Sequence, residues 1–313
     1  MSSYAKWITR VALIFLVFTM NSLSAKNEKT FIEILGVAQD AGYPQAGCYR
    51  PHCLKGWKKP EYRRSVVSLG LVDTVSKSKY LFEATPDLPE QLYQLEKIVS
   101  SEEFDLKGIF LTHAHIGHYT GLMYLGHESM GASEVPVFAM PRMSEFLRSN
   151  GPWSQLVNYK NIMLYPLQDS RPEKFSNIEV TPFSVPHREE YSEAVGFRIK
   201  GPSKTAIFIP DIDKWSRWDI NISDLVKEVD YAIIDATFFD GTELPGRDML
   251  KVPHPFVVES MDLFEKLSNE DKAKIWFIHF NHSNPLLEEG SQQSLLVRSK
   301  GFNIAKEGVR LFL

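Results

Sequence analysis

Three closely spaced histidines follow an apolar run in the segment GIFLTHAHIGHYTG, residues 108–121. Side chains at alternating positions of an extended chain point the same way, so His113 and His115 can approach one cation from the same side. His118 comes one turn later, at the start of a helical pattern, and faces the same space. The alternative is a polar surface loop, but apolar strands rarely end in three imidazoles without a ligand to hold. The segment therefore predicts a metal site at the end of a buried strand.

Three further apolar runs end in residues that commonly bind metals. The runs FSVPH, AIFIPD and IWFIH end at His187, Asp211 and His279. Taken singly, each residue could be a satisfied core group or part of a turn. In an α/β sheet, however, side chains at the carboxyl ends of strands converge on a common rim. The repeated pattern therefore indicates one shared site.

The rest of the chain alternates short apolar runs with helical patterns, which favours one layered α/β domain over residues 26–313. The length of 313 residues would by itself suggest two domains. The predicted strands are 31–37, 65–72, 80–84, 108–112, 135–139, 178–181, 195–199, 205–209, 231–234, 275–278 and 309–312. The predicted helices are 89–99, 119–125, 144–149, 222–229, 257–267 and 291–299. Residues 168–177 and 239–255 are expected to be surface excursions.

The N-terminus has the pattern of a secretory signal. A short basic segment, residues 1–10, precedes the apolar run VALIFLVFTM and the small polar stretch NSLSA, which ends at residue 25. The run is shorter than a spanning helix requires, although an uncleaved anchor is the alternative. We expect residues 1–25 to be removed and the mature chain to lie in the periplasm or outside the cell, with no stable membrane span. A net charge of −4 gives no basic face for nucleic acid.

The order and spacing of these residues resemble the metallo-β-lactamase superfamily, and within it the pyrroloquinoline quinone biosynthesis protein B branch. The superfamily motif HxHxDH maps onto residues 113–118, and the later ligands map onto His187, Asp211 and His279. The branch shares four further segments with this chain: LGVAQDAGYPQ at 35–45, ATPD at 84–87, IDATF at 234–238 and IHFNHSNPL at 278–286. The resemblance covers nearly all of residues 31–313 and implies an αββα sandwich whose metal site is built from strand-end loops.

The resemblance implies a first metal site at His113, His115 and His187 and a second at His118 and His279, with Asp211 between them. Three nitrogen ligands with an open position are typical of catalytic zinc, although Fe or Mn also suits N/O donors. Such a site supplies hydroxide near neutral pH, because the pKa of bound water falls to about 7. Gly117 stands where the superfamily has Asp, so we expect one tight and one weak ion.

Several other residues have possible roles around this site. Asp87 is expected either to orient a ligand histidine or to be a plain turn residue. Asp235 and Thr237 match the rim of the family and are possible partners of the ligands. His282 either reaches the substrate or caps a turn.

Two cysteines occur in GCYRPHC, residues 47–53. The related branch resembles CxCxxC here and binds a structural zinc, but Arg50 replaces the middle cysteine. One interpretation is a zinc site of Cys48 and Cys53 completed by His52 or His254. The other is a disulfide, which an exported compartment would permit.

Three hypotheses for the function follow. The leading one is an exported metal-dependent hydrolase that cleaves an ester, phosphodiester or amide bond of a small molecule. The second is a role in pyrroloquinoline quinone biosynthesis or transport, with metal-dependent oxygenase chemistry. The third is a non-catalytic protein that binds a metal or cofactor.

Overall fold

Two seven-stranded sheets dominate the structure, a computed structural model that describes residues 30–313. The predicted signal, residues 1–25, lies outside the described residues. In spatial order the first sheet contains β14 (Arg310–Phe312), β1 (Thr30–Gly36), β2 (Ser68–Asp73), β3 (Ser78–Phe82), β4 (Asp105–Phe110), β5 (Val135–Ala139) and β6 (Ile162–Pro166). The second contains β13 (Asn303–Ile304), β12 (Ile275–Ile278), β11 (Tyr231–Asp235), β10 (Thr205–Ile209), β9 (Val195–Lys200), β8 (Ile178–Ser184) and β7 (Glu173–Phe175).

Short helices connect and cover these strands. They are α1 (Pro51–Lys58), α2 (Leu88–Ile98), α3 (Ile116–Tyr119), α4 (Pro141–Ser149), α5 (Trp153–Asn158), α6 (Ile222–Lys227), α7 (Val257–Leu263), α8 (Asn269–Lys272) and α9 (Gln292–Ser299). Single 3₁₀ turns occupy Pro60–Tyr62, Thr120–Leu125, Trp215–Arg217, Met249–Lys251 and Pro285–Leu287. No helix in residues 30–313 is long and apolar enough to cross a membrane.

The two sheets pack face to face through aromatic side chains. The ring of Phe82 on β3 lies 5.3 Å from that of Phe197 on β9 and 6.2 Å from that of Phe208 on β10, centroid to centroid. All three rings are fully buried. Such edge-to-face contacts are the favoured arrangement of aromatic pairs. The inner faces of the sheets therefore form one continuous core.

Helices cover both outer faces of this sandwich. Leu95 of α2 and Leu147 of α4 share an apolar cluster with Leu81 of the first sheet. Val257 of α7 packs in the same cluster as Phe277 of the second sheet. The order of layers is helix, sheet, sheet, helix, so the predicted αββα sandwich of the metallo-β-lactamase type is confirmed.

Some elements differ from the prediction. The helix predicted at 119–125 is a short α-helix followed by a 3₁₀ segment. The elements that were not predicted are β6, β7, β13, α1, α5 and α8. β6 and β7 are edge strands with largely accessible side chains, so they lack the apolar alternation that marks buried strands. The prediction that 239–255 is a surface excursion is wrong in part, because Met249 and Val252 are buried against Phe238 and Phe256.

Candidate metal centre

The ends of parallel strands bring the candidate residues together. β10, β11 and β12 are parallel, and Asp211, Asp235 and His279 lie at or just after their carboxyl ends. In the other sheet β3 and β4 are parallel, and Glu83 and His113 follow them. Because carboxyl ends of parallel strands share one edge of a sheet, both sheets direct polar residues to the same edge of the sandwich.

A first donor group contains His113, His115, His187 and Asp211. The Oδ2 atom of Asp211 lies 3.3 Å from Nε2 of His113, 3.3 Å from Nε2 of His187 and 3.9 Å from Nδ1 of His115. One ligand atom from each residue lies within 4.8 Å of all the others. Three imidazole nitrogens and one carboxylate oxygen form a donor set that suits zinc.

A second donor group shares Asp211 with the first and adds Asp40, His118 and His279. The Oδ1 atom of Asp40 lies 3.0 Å from Nε2 of His118 and 4.0 Å from Nε2 of His279. Oδ2 of Asp211 lies 3.6 Å and 3.9 Å from the same two nitrogens. The structure thus brings together all six metal ligands predicted from the sequence, as two adjacent groups joined by Asp211.

The expectation that the second site lacks a carboxylate is wrong, because Asp40 provides one. A Cβ atom placed on Gly117 would lie 2.3 Å from Cα and 2.6 Å from Oδ1 of Asp40. Asp40, in the loop after β1, therefore occupies the space that an aspartate at position 117 would need. The carboxylate missing from the histidine segment comes from a different part of the chain.

Buried polar atoms support a cation in the second group. Oδ1 of Asp40, Nε2 of His118 and Nε2 of His279 are buried and have no hydrogen-bond partner among residues 30–313, because the 3.0 Å contact between the first two atoms does not have hydrogen-bond geometry. Such atoms destabilise a fold unless something satisfies them. A divalent cation would satisfy all three at once, so the residues present fit a metal ion.

Charge at the centre also favours a cation. Burial opposes a positive charge on His118, but the carboxylates of Glu83 and Asp40 raise the pKa of this histidine well above its ordinary value. Burial lowers the pKa of His113 well below its ordinary value, with the charge of His118 acting in the same direction. The centre therefore attracts positive charge at His118 and keeps His113 as a neutral imidazole ligand.

Residues around the two groups orient the ligand rings. The Oγ1 atom of Thr112 lies 2.9 Å from Nδ1 of His113 and donates to Glu83 over 2.5 Å. Oε1 of Glu83 lies 3.3 Å from Nδ1 of His118. On the other side of the centre, Oε2 of Glu190 lies 3.4 Å from Nε2 of His115. Each contact uses the ring nitrogen that does not face the donor group, which fixes the ring and its tautomer.

Asp235 and Thr237 hold the second group as the sequence suggested. Oγ1 of Thr237 lies 2.7 Å from Nδ1 of His279 and donates to Oδ1 of Asp235 over 2.7 Å. Asp235 also accepts a hydrogen bond from the backbone N–H of Ile212, next to Asp211. These contacts connect the loops that follow β10, β11 and β12.

His254 lies at this centre, which corrects its predicted position beside the cysteines. Its Nδ1 atom is 3.1 Å from Oδ1 of Asp211 and 2.9 Å from Oδ2 of Asp235. Although burial alone would lower it, these two carboxylates raise the pKa of His254 to about 10. The apolar cluster of the 239–255 loop brings His254 to the centre.

The sequence analysis did not identify five residues at the centre: Asp40, Glu83, Thr112, Glu190 and His254. Asp40 and Glu83 follow apolar strands, as the predicted ligands do, so the same strand-end signal could have identified them. Glu190 and His254 lie on loops whose sequences carry no comparable signal.

Other predicted residues lie elsewhere. Asp87 accepts a hydrogen bond from the backbone of Val66 over 2.8 Å and is not part of either donor group, so its proposed role at a ligand histidine is wrong.

Cys48 and Cys53 form a disulfide, with Nε2 of His52 3.4 Å from Sγ of Cys48. His282 packs against the His52 ring with centroids 5.6 Å apart, so it lies beside the disulfide and outside both donor groups.

Comparison with known proteins agrees with this geometry. Residues 78–280 match the family model of the beta-lactamase superfamily domain, which is about two thirds of the chain. The chain belongs to this superfamily. The family match spans the histidine segment, Asp211 and His279, and so includes both donor groups except for Asp40.

Similarity beyond the family model extends along most of the chain to proteins of the branch suggested by the sequence motifs. The "Coenzyme PQQ synthesis protein B" of Xanthomonas oryzae pv. oryzae is 23% identical over 90% of this chain and 99% of its own length. The crystal structure of Zn²⁺-bound PqqB from Methylobacterium extorquens superimposes with a TM-score of 0.76 at 20% identity, covering 90% of this chain and 100% of that one. A diphosphatase from the PhnP family gives a TM-score of 0.64 at 20% identity, covering 91% and 97%. The predicted resemblance to the PqqB-like branch is confirmed.

Proposed function

We propose that this protein is a metal-dependent hydrolase that cleaves phosphodiesters or related anionic esters of small molecules. The observation that carries the proposal is Asp211, whose Oδ2 lies within 4.0 Å of histidine nitrogens from both donor groups. A carboxylate shared in this way suits two adjacent cations, and paired cations favour substrates whose reacting group is negatively charged. Between them, these groups would hold two zinc ions or similar divalent cations.

The cations and the surrounding side chains would have different roles in hydrolysis. A bound divalent cation would lower the pKa of a bound water and neutralise negative charge on the ester oxygens. Thr112, Glu83, Glu190 and Thr237 keep the imidazole rings oriented, which limits reorganisation during turnover.

His254 is suited to move a proton. Its Nδ1 atom is held between Asp211 and Asp235, so the ring is fixed and its positive form is stabilised by two carboxylates. A histidine in this position can donate a proton to the oxygen that leaves when the ester bond breaks. We therefore assign His254 as the proton donor.

A metal and activity assay tests the proposal. The protein would be loaded separately with Zn²⁺, Mn²⁺ or Fe²⁺ and dialysed. Its metal content would then be measured, and its hydrolysis of bis(p-nitrophenyl) phosphate would be followed. We expect two equivalents per chain and turnover that His113→Ala and His279→Ala each reduce by at least 100-fold. The control is His127→Ala, because His127 is exposed and packs against Tyr159 away from the centre. Absence of turnover with every metal would contradict the proposal.

A second candidate is a role in coenzyme PQQ synthesis. It is supported by the similarity to "Coenzyme PQQ synthesis protein B" along 90% of the chain. Oxygen uptake measured on the same metal-loaded samples separates the two, because consumption of oxygen only by the Fe²⁺-loaded chain would favour an oxygenase of that pathway. Tight ligand binding with no turnover under any condition would instead favour a non-catalytic binding protein.

We also propose that the chain is exported. The pattern of residues 1–25 and the Cys48–Cys53 disulfide support this, since disulfides persist in oxidising compartments. Sequencing the N-terminus of protein recovered from the periplasm or medium would check it, and protein that starts at Met1 in the cytoplasm would contradict it.

A further inference from the structure

An exposed tyrosine lies on the loop that follows His187. Tyr191 is 63% exposed. The preceding residue, Glu190, contacts His115 of the first donor group. Tyr191 is therefore one residue along the chain from a side chain that contacts the metal centre.

The loop that carries Tyr191 is fixed to the metal-binding segment. Oγ of Ser192 accepts a hydrogen bond from the backbone N–H of Ala114, which lies between His113 and His115, over 2.8 Å. Oε2 of Glu190 lies 3.4 Å from Nε2 of His115. These contacts flank Tyr191 in sequence on both sides.

The same loop is fixed to the first turn of α4. The Glu193 carboxylate accepts hydrogen bonds from the backbone N–H groups of Arg142, at 3.0 Å, and Met143, at 3.3 Å. The Arg142 guanidinium donates to the carbonyl of Glu189 over 2.8 Å. The backbone on either side of Tyr191 is thus anchored although its ring is exposed.

Other aromatic rings support Tyr191 from one side. Its centroid lies 5.5 Å from that of Phe146 on α4. Phe146 in turn packs against Tyr119 at 5.4 Å and Trp153 at 6.2 Å. The Tyr191 ring therefore has a packed face and an accessible face.

A cavity of about 300 Å³, open to the surface, lies at this point. Its lining consists of the rings of Tyr191 and Phe146 and of polar side chains, which are Arg142, Glu145, Ser149, Asn150 and Glu190. Since ~150 Å³ is enough to hold benzene, the volume accommodates one aromatic ring. Glu190 belongs both to this lining and to the surroundings of the first donor group.

We propose that Tyr191, supported by Phe146, is a specificity residue that binds an aromatic group of the substrate next to the bond that is cleaved. This inference rests on the proposed function and names the substrate class, which is an aryl-substituted anionic ester. The alternative role for Tyr191 is only to cover Phe146. That role would affect stability and would not discriminate between ligands.

Binding to the zinc-loaded chain tests this without relying on turnover. Calorimetry would compare phenylphosphonate with methylphosphonate, which differ in the group that would enter the cavity. We expect phenylphosphonate to bind about 3- to 10-fold more tightly, the range expected of one aromatic contact. Tyr191→Ala should abolish this preference, and Tyr191→Phe should retain it.

Kinetics with a common leaving group gives a second measurement. The ratio of kcat/KM for bis(p-nitrophenyl) phosphate to that for methyl p-nitrophenyl phosphate should fall about 3- to 10-fold in Tyr191→Ala. The control is Tyr159→Ala, which removes a comparably exposed tyrosine that packs against His127. Zinc content and melting temperature of each variant would be measured alongside.

The outcomes separate this inference from the proposed function. If both phosphonates bind equally and the kinetic ratio is unchanged in Tyr191→Ala, the aromatic subsite is overturned and the hydrolase proposal stands. If neither phosphonate binds and neither ester is cleaved, the hydrolase proposal fails and the subsite fails with it.

Discussion

At residue 117 the lack of a side chain leaves room for a carboxylate from another part of the chain. The contact between Gly117 and the Asp40 backbone is so close that even one methyl group has no space. A carboxylate at position 117 and one at position 40 are thus mutually exclusive in this arrangement. A motif position that looks defective in the sequence is compensated by a residue 77 positions earlier.

Substitution of Gly117 should separate the two metal positions. We expect Gly117→Ala to displace Asp40 and weaken the second ion at least 10-fold, the scale on which support of a metal site usually acts. The first ion should be unaffected because its ligands do not include Asp40. Metal titration followed by calorimetry would measure both affinities.

The matched control for this variant is Gly290→Ala. A Cβ atom at Gly290 would have no neighbour within 4 Å, so the same chemical change carries no steric consequence there. Retention of two ions with unchanged affinity in Gly117→Ala would show that Asp40 is not a ligand. Asp40→Asn should reproduce the loss without any clash, since it removes only the charge.

At the scale of elements, a partly buried carboxylate connects two loops away from the metal centre. It belongs to Glu307, between β13 and β14. Its carboxylate accepts a hydrogen bond from the backbone N–H of Ser65 over 2.6 Å. Burial raises the pKa of Glu307 to about 7, and the charges of Asp87 and Glu90 act in the same direction. The N–H of Ser65 and the charge of Arg64 oppose this shift only in part.

This raised pKa predicts a pH dependence of stability. In the unfolded chain Glu307 should lose its proton near its usual value of 4.5, whereas in the fold it keeps the proton until about pH 7. The free energy of unfolding should therefore fall as pH rises through this window and stay lower above it. Glu307→Gln should be more stable than the wild type above pH 7, by at most about 3 kcal/mol.

Chemical denaturation at several pH values between 4.5 and 8 would measure this difference. Glu265→Gln is the matched control, because Glu265 is exposed and the substitution makes the same change of charge. If the wild type and Glu307→Gln lose stability in parallel over this range, Glu307 is not the group that titrates.

At the scale of the whole molecule, the metal centre joins the two sheets of the sandwich. His113, His115 and His118 follow a strand of the first sheet, whereas His187, Asp211 and His279 follow strands of the second. A cation held by both sets would cross-link the sheets at one edge, in addition to the aromatic core between them. Metal binding and global stability should therefore be coupled.

Removal of metal should lower the melting temperature by several degrees. A ligand present at 1,000 times its Kd stabilises the native state by about 4 kcal/mol, and each kcal/mol is about 2–4 °C in a domain of 150–250 residues. Scanning calorimetry before and after treatment with a chelator would measure the shift. His113→Ala should reduce the response to chelator, because it removes a donor from the first group only, and His127→Ala should keep the full response. An unchanged melting temperature after verified removal of metal would contradict this coupling.

Much of the fold and about half of the centre could be predicted from the sequence. The apolar strands and their terminal histidines are local patterns, since a strand and the residue that follows it are contiguous in the chain. Glu83 and Asp40 end or follow similar runs, but a single carboxylate after a strand is too common to assign without knowing which strands are neighbours. His254 and Glu190 lie on loops, where no periodicity relates sequence to position.

The sequence by itself determined the layered α/β class, the superfamily and the six candidate metal ligands that the structure brings together, because a strand and the residue that follows it form one short contiguous segment. Only the tertiary structure decided that Asp40 replaces the carboxylate missing at Gly117 and that His254 belongs to the metal centre. It also decided that the two cysteines pair with each other. The physical reason is that these contacts join residues far apart in the chain, and their distances depend on how the sheets and loops pack.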